Sequence, residues 1–297
     1  MKIGLIDVDS HHFPNLCLMK LSAYHKTKGD TVEWWNGLEK YDIVYKSKVF
    51  TEEYTTEENT VIHADKVIEG GTGYGLENKL PYKIEHCYPD YSLYTERTKN
   101  IAYGLLTRGC PRDCPFCIVS QKEGKQSIKV ADLSEFWRGQ KTIKLLDPNL
   151  LACKDHVELL QQLIDSKSYV DFTQGLDARC INEENAELLA KIKVKMIHFA
   201  FDDIKQEKSI IEGLKLYKKI SNIPEYKTGI YLLTNFNTTH KQDLYRVKVV
   251  QELGYRPYIM IYNKKSAPKI TKDLQRWANN RMIYYASGRL WENYYLK

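Results

Sequence analysis

The chain has 297 residues, with 44 Lys and Arg against 38 Asp and Glu, 43 % hydrophobic residues, 28 % charged residues and seven cysteines. That length allows one large domain or two smaller ones. The apolar content excludes a disordered chain, and no apolar run approaches the roughly 18 residues of a membrane span. The net charge of +6 is too mild for this size to predict a nucleic-acid or membrane partner by itself.

In chain order, residues 2–8 (KIGLIDV) form a short apolar run with β-branched members and read as a strand. A polar break and an amphipathic stretch over residues 15–28 follow, with Leu16, Leu18, Met19, Leu21 and Tyr24 at helical spacing. Strands are expected near 31–35, 41–45 and 66–68, the last before Gly70 and Gly71. Residues 1–95 thus read as a small Rossmann/flavodoxin-like α/β domain with its linker, residues 73–98 being a long Tyr-, Pro- and Gly-rich connection. Asp7 and Asp9 directly after the first strand break the pattern of a secretory signal, so a cytoplasmic protein that does not enter the membrane is expected.

From residue 101 the alternation is regular. Strand-like runs at 101–106, 142–147, 169–174, 195–201, 228–234 and 257–262 are separated by helical stretches. Helix starts are marked by Asp132, Asp155, Asn182 and Thr239, and Gly254 marks a stop. Such βα alternation gives a parallel sheet covered by helices, either an open doubly wound sheet or a partial barrel. Polar loops follow every strand, at 108–117, 147–149, 174–179, 202–203, 235–237 and 263. In parallel α/β folds the C-terminal strand ends carry the ligands, so these six loops are expected to face one site.

The first of those loops reads TRGCPRDCPFC and places Cys110, Cys114 and Cys117 in a C-x3-C-x2-C spacing. Cytosolic thiols stay reduced, so closely spaced cysteines there point to metal rather than to disulfides. Thiolates on a tight loop suit iron–sulfur or zinc, both of which usually take four protein ligands. Only three stand here, and an incomplete shell leaves a position for a substrate or cofactor. Cys17, Cys87, Cys153 and Cys180 read as buried or idle thiols, with Cys180 the one placed to look into the mouth.

The cysteine spacing, with aromatic Phe116 before the third cysteine, resembles that of the radical S-adenosylmethionine (radical SAM) superfamily. The resemblance implies a partial (β/α)6 TIM-like barrel over residues 96–263 and a 4Fe-4S cluster held by the three cysteines. It also implies S-adenosylmethionine on the open iron, reductively cleaved to a 5′-deoxyadenosyl radical, and an electron donor such as flavodoxin or ferredoxin. Where the superfamily often has a Gly-Gly-Glu type motif, this chain has Asp147-Pro148-Asn149. Asp147 and Asn149, together with QGLDAR (Gln174, Asp177, Arg179), are similar to the subgroup that carries an N-terminal cobalamin-binding-like domain. Arg179 could pair with the cofactor carboxylate and Asp202 could accept from ribose hydroxyls. Asp9-Ser10-His11 matches the start of the subgroup's Asp-x-His-x-x-Gly motif and Gly70-Gly71 its later glycine pair, but Pro14 replaces the glycine. Cobalamin on His11 is therefore the lesser reading, beside a domain that keeps the fold and presents His11, His12 and Asn15 to the barrel mouth or to a partner.

Residues 264–297 form a basic, aromatic extension. Lys264, Lys265, Lys269, Lys272, Arg276, Arg281 and Arg289 stand against Asp273 over residues 264–289, interleaved with Trp277, Tyr284 and Tyr285. A nucleic-acid substrate suits that pattern, a peptide substrate is the alternative, and a helix packing Trp277 and Met282 on the barrel explains it without a ligand. For the whole chain, the competing reading is a non-enzymatic iron–sulfur or zinc-binding module.

Overall fold

The first apolar run folds as β1 (Lys2–Asp7), and β2 (Thr31–Trp34), β3 (Tyr41–Ser47) and β4 (Ala64–Gly70) join it in a four-stranded sheet of order β2-β1-β3-β4, every pairing parallel. The computed structural model describes residues 1–11, 13–57 and 60–295. By backbone contacts the chain divides into two units, residues 1–104 with 133–141, and residues 105–132 with 142–297. Residues 264–297 fall in the second unit.

In the first unit the helix Leu16–Thr27 lays Leu18 and Leu21 on Ile3 and Leu5, with Ile84 closing the core. Asn15 caps that helix by accepting from the Leu18 amide at 3.2 Å, and its amide group donates to Ser10 Oγ and Ser47 Oγ at 3.1 and 2.9 Å. Asn15 is thus buried and spent on joining the ends of β1 and β3, which corrects the expectation that it faces outward. Segment 133–141 belongs here because Phe136 fills the space above Gly104, where a Cβ would lie 2.3 Å from the ring. Tyr91 Oη donates to the Phe136 carbonyl at 2.7 Å. The helix expected after Asp132 is a single 3-10 turn, Leu133–Glu135, because Phe136 turns inward and Trp137 Nε1 bonds back to the Gln140 carbonyl at 2.9 Å.

The larger sheet is six-stranded, in the order β12-β11-β10-β9-β8-β5. Its strands are β5 (Ile101–Gly104), β8 (Thr142–Leu145), β9 (Tyr169–Leu176), β10 (Lys193–Ala200), β11 (Thr228–Thr234) and β12 (Pro257–Ile261). A two-stranded antiparallel ribbon, β6 (Thr107–Arg108) with β7 (Ile128–Lys129), precedes β8 in the chain. The expected single strand over 101–106 is broken there because the Asp147 carboxylate takes the Leu106 and Thr107 amides at 3.0 and 2.6 Å.

One face of this sheet is fully buried through Ile143, Val170, Phe172, Ile197, Phe199, Ile230, Leu232 and Ile259. Helices Glu183–Lys191 and His240–Glu252 begin in capping boxes, Asn182 with Asn185 and Thr239 with Gln242. Asp155 stands at the N-cap position of the helix His156–Ser166, as its reading as a start signal expects, but makes no side-chain cap bond. The helix Glu207–Ser221, for which the sequence carried no clear start signal, buries Ile210, Leu214 and Tyr217. In the tail, Lys269–Asn279 buries Leu274 and Trp277, whereas Met282 is 81 % exposed, against the packing expected of it. Among the described residues no helix is long and apolar enough to cross a membrane.

Candidate metal centre and cofactor site

The cysteine loop is shaped by close backbone packing. Gly109 has φ +86°, and a Cβ there would meet the Gln126 carbonyl oxygen at 2.0 Å, so only glycine lets 109 and 126 approach. The Cys110 amide donates to the Gly124 carbonyl at 3.1 Å, and Arg108 pairs with Glu123 at 2.8 Å. Between the first two cysteines, Asp113 takes a left-handed backbone (φ 48°) held by Ser120 Oγ at 2.7 Å and Lys125 Nζ at 2.6 Å. The Cys117 amide closes the last turn on the Cys114 carbonyl at 2.9 Å.

All three thiols are half-buried. Burial pushes the Cys114 thiol up, and the neighbouring Cys110 and Cys117 push it further, against the pull of Arg179. Cys117 is raised by burial, by Cys110 and by Asp202. Thiols whose ionised forms are made costly by burial and by neighbouring thiols are donors that a bound cation would relieve. Among the described residues, no group of three His, Cys, Asp or Glu side chains is arranged to hold a single metal ion.

The loops after the following strands converge here. Asn149 Nδ2 lies 3.4 Å from Cys110 Sγ and 3.4 Å from Asp177 Oδ2, while its Oδ1 is buried without a partner. Asp177 receives Arg112 Nε, from the cysteine loop itself, at 2.5 Å, and Arg179 Nε and NH2 at 2.7 and 3.1 Å. Burial raises the Asp177 carboxyl, but the two guanidiniums outweigh it and hold it below its usual value. Cys180 joins this group, its Sγ 3.4 Å from Arg112 NH2.

Two local devices set Asp177 in place. The β9/β10 pairing shifts register, and Gly175 takes φ +93°, a bulge that redirects the strand end. Behind it, Gly213 lets the helix Glu207–Ser221 seat directly on the Ala178 carbonyl, where a Cβ would be 1.8 Å from the oxygen.

Asp202 is positioned from the next loop, accepting from the Leu233 amide at 2.8 Å, and burial pushes its carboxyl up to about 6. Arg246 fixes that loop from below. It is fully buried and donates to the Phe201, Asp202 and Leu233 carbonyls at 2.7, 3.1 and 2.7 Å while pairing with Asp243 at 2.6 Å. Phe116 meets Phe236 edge-on at 5.6 Å, Phe236 meets Tyr262 at 4.9 Å, and Asn235 Nδ2 donates to the Tyr262 carbonyl at 2.8 Å. These contacts bring the fifth and sixth loops in.

Two of the sequence-derived candidates stand apart from this cluster. Asp147 is a buried clamp for the strand break, its Oδ1 accepting three donors and its Oδ2 unpartnered, and burial pushes it up to about 6. Gln174 is exposed on β9. In the first unit, His11 is exposed and stacks on Phe50 with ring centres 6.5 Å apart, and His12 lies outside the described residues. A Cβ on Gly71 would lie 2.3 Å from the Lys48 carbonyl oxygen, so this glycine serves close packing of the chain on itself. Arg112 and Arg246 were not singled out from the sequence. Arg112, between two cysteines, carried a signal, whereas a helical arginine such as Arg246 carries none until its burial is seen. No protein-family model matches the chain, and no curated protein matches it.

Proposed function

We propose that the chain is a radical SAM enzyme whose larger sheet is the partial barrel, with Cys110, Cys114 and Cys117 holding a 4Fe-4S cluster and S-adenosylmethionine bound beside it. The observation that carries this reading is the gathering of Asn149, Asp177, Arg179 and Asp202 around a clamped loop of three half-buried thiols. A zinc ion sits about 2.3 Å from every thiolate and needs its donors on one centre.

When bound, the cluster and its cofactor would supply reductive cleavage of the sulfonium and a primary carbon radical. The chain's own part is to bind and orient. Arg179, braced by Asp177, presents a planar fork for the cofactor carboxylate. Asp202 offers its second oxygen to hydroxyl donors, since its first is spent on Leu233. Asn149 keeps a buried carbonyl oxygen free to accept from an ammonium group. Phe116, Phe236 and Tyr262 form an apolar wall that excludes water from a reactive radical. Reduction requires an electron donor such as flavodoxin or ferredoxin.

Iron and acid-labile sulfide should reach about four per chain after anaerobic reconstitution, as the proposed cluster requires. Adding S-adenosylmethionine should perturb the electron paramagnetic resonance signal of the reduced protein. One zinc per chain with no visible charge-transfer absorption would instead establish the non-enzymatic alternative.

A further inference from the structure

The face of the larger sheet opposite the buried one is half-open and polar. Register places Lys144 beside Asp171 and Tyr231 beside Tyr258, with Thr173 and His198 on the same side of their strands. A sheet covered on both faces would show near-continuous apolar strands. Here every second residue departs from that rule, and Tyr258 and Met260 are 37 % and 44 % exposed.

His198 and Tyr231 form a planar shelf, stacked at 4.7 Å with 2° between the rings. Two glycines make room for it. A Cβ on Gly229 would lie 2.6 Å from His198 Cδ2, and Gly175 brings bare backbone to Tyr231. His198 Nδ1 lies 3.0 Å from the Phe172 carbonyl, which can only accept, so Nδ1 carries the proton. Burial lowers the pKa of the ring and keeps it neutral, leaving Nε2 as an acceptor. Beside it, Asp171 Oδ1 is buried with no hydrogen-bond partner. Tyr231 donates its hydroxyl to the Thr173 carbonyl at 2.6 Å, fixing the shelf, and Tyr258 stands edge-on to it at 5.5 Å.

We propose that this shelf binds the nucleobase of a nucleotide-type substrate, an inference that names the substrate class for the radical SAM reading and rests on it. A buried carboxylate oxygen and a ring nitrogen that both lack donors call for a group rich in N–H. Parallel aromatic rings call for a flat π-system, and a nucleobase offers both. A carboxylate or phosphate would be repelled by Asp171, so the charged part of the substrate must lie elsewhere. Exposed Lys205, Lys264 and Lys265, on the loops after β10 and β12, supply a cationic rim for it. His198 lies two residues before the end of β10 at Ala200 and four before Asp202, a span of at most about 13 Å at ~3.3 Å per residue. The base would thus sit on the same sheet face from which the cofactor loops rise.

The test uses the reconstituted full chain saturated with S-adenosylmethionine, so that the cofactor's own adenine site is filled. Equilibrium dialysis with AMP, GMP, CMP and UMP, and anisotropy with a fluorescent mixed-sequence single-stranded 12-mer RNA, should reveal saturable binding of at least one probe. That binding should weaken at least tenfold in Asp171→Asn and about fivefold in His198→Phe, in variants whose thermal unfolding matches the wild type. An RNA affinity at least tenfold above that of every mononucleotide assigns the base to a strand, and comparable affinities assign it to a free nucleotide. Either supports the shelf. No saturable binding of any probe by the wild type, or binding unchanged in both variants, overturns it. Failure of the wild type to hold iron while still binding a base would sink the radical reading alone.

Discussion

At the C-terminal strand ends of the first unit, Asp7 and Asp9 are spent on neighbouring groups, whereas in the second unit several buried side-chain oxygens are left without partners. Asp9 is the first case, accepting from the Val49 and Phe50 amides at 2.7 and 2.9 Å and from Thr55 Oγ1 at 3.0 Å. Asp7 takes the Ser10 amide and the Tyr94 hydroxyl. A cleft of about 530 Å³ opens there beside Trp34, Tyr94 and Arg97, but the two aspartates at its edge are already satisfied. In the second unit, Asn149 Oδ1 and Asp171 Oδ1 are buried with no partner, and the Cys114 and Cys117 thiols are pushed up by burial and by neighbouring thiols. Folding alone favours the first arrangement. The second costs stability and is the pattern of a surface kept ready for a ligand.

That contrast can be broken in three places. The largest effect is expected at Asp9. Asp9→Ala removes three hydrogen bonds from a residue only 2 % exposed and strands two backbone amides, so urea unfolding should show a loss of about 3–5 kcal/mol. A loss under about 1 kcal/mol would mean that this network is not structural.

Asp147 should behave in the opposite sense. Its folded pKa lies above that of a free carboxyl, so the folded state binds the extra proton and stability falls as pH rises from about 4 to about 7. Unfolding free energies of the wild type and of Asp147→Asn, compared at pH 4.5 and 7.5, should therefore diverge by about 2–3 kcal/mol, the wild type losing ground at the higher pH. Parallel curves would contradict the claim that this carboxylate is held against its solvation.

The smallest change is Tyr94→Phe. It removes only the hydroxyl that donates to Asp7 and should cost about 1 kcal/mol in the same assay. A neutral or stabilising result would show that the acidic edge of the first unit is less saturated than its geometry implies.

Strand positions were legible because period-two burial and turn residues survive in the chain, and all ten expected strands are present within a few residues. Their layering was not. The half-open face of the larger sheet depends on Lys144 and Asp171 lying in register on adjacent strands and on His198 falling on the same side of the next, which no local pattern announces. In the site, the three cysteines spoke through spacing alone, and Asp177, Arg179 and Asp202 through their place after strands. Asp147 carried an ambiguous signal, because a carboxylate after a strand looks the same whether it faces a ligand or clamps a backbone break. The helix Glu207–Ser221 was expected only as an unmarked stretch between strands, and Gly213 in its middle is what seats it against the Asp177 turn, a glycine whose purpose is set by a contact distant in sequence.

The central claim is that the open polar edge of the second unit exists to cleave S-adenosylmethionine. Reconstituted protein incubated anaerobically with dithionite and S-adenosylmethionine should release 5′-deoxyadenosine and methionine in equal amounts, and Cys114→Ala should abolish both. A wild type that carries its full iron and sulfide yet yields no more 5′-deoxyadenosine than Cys114→Ala would contradict it.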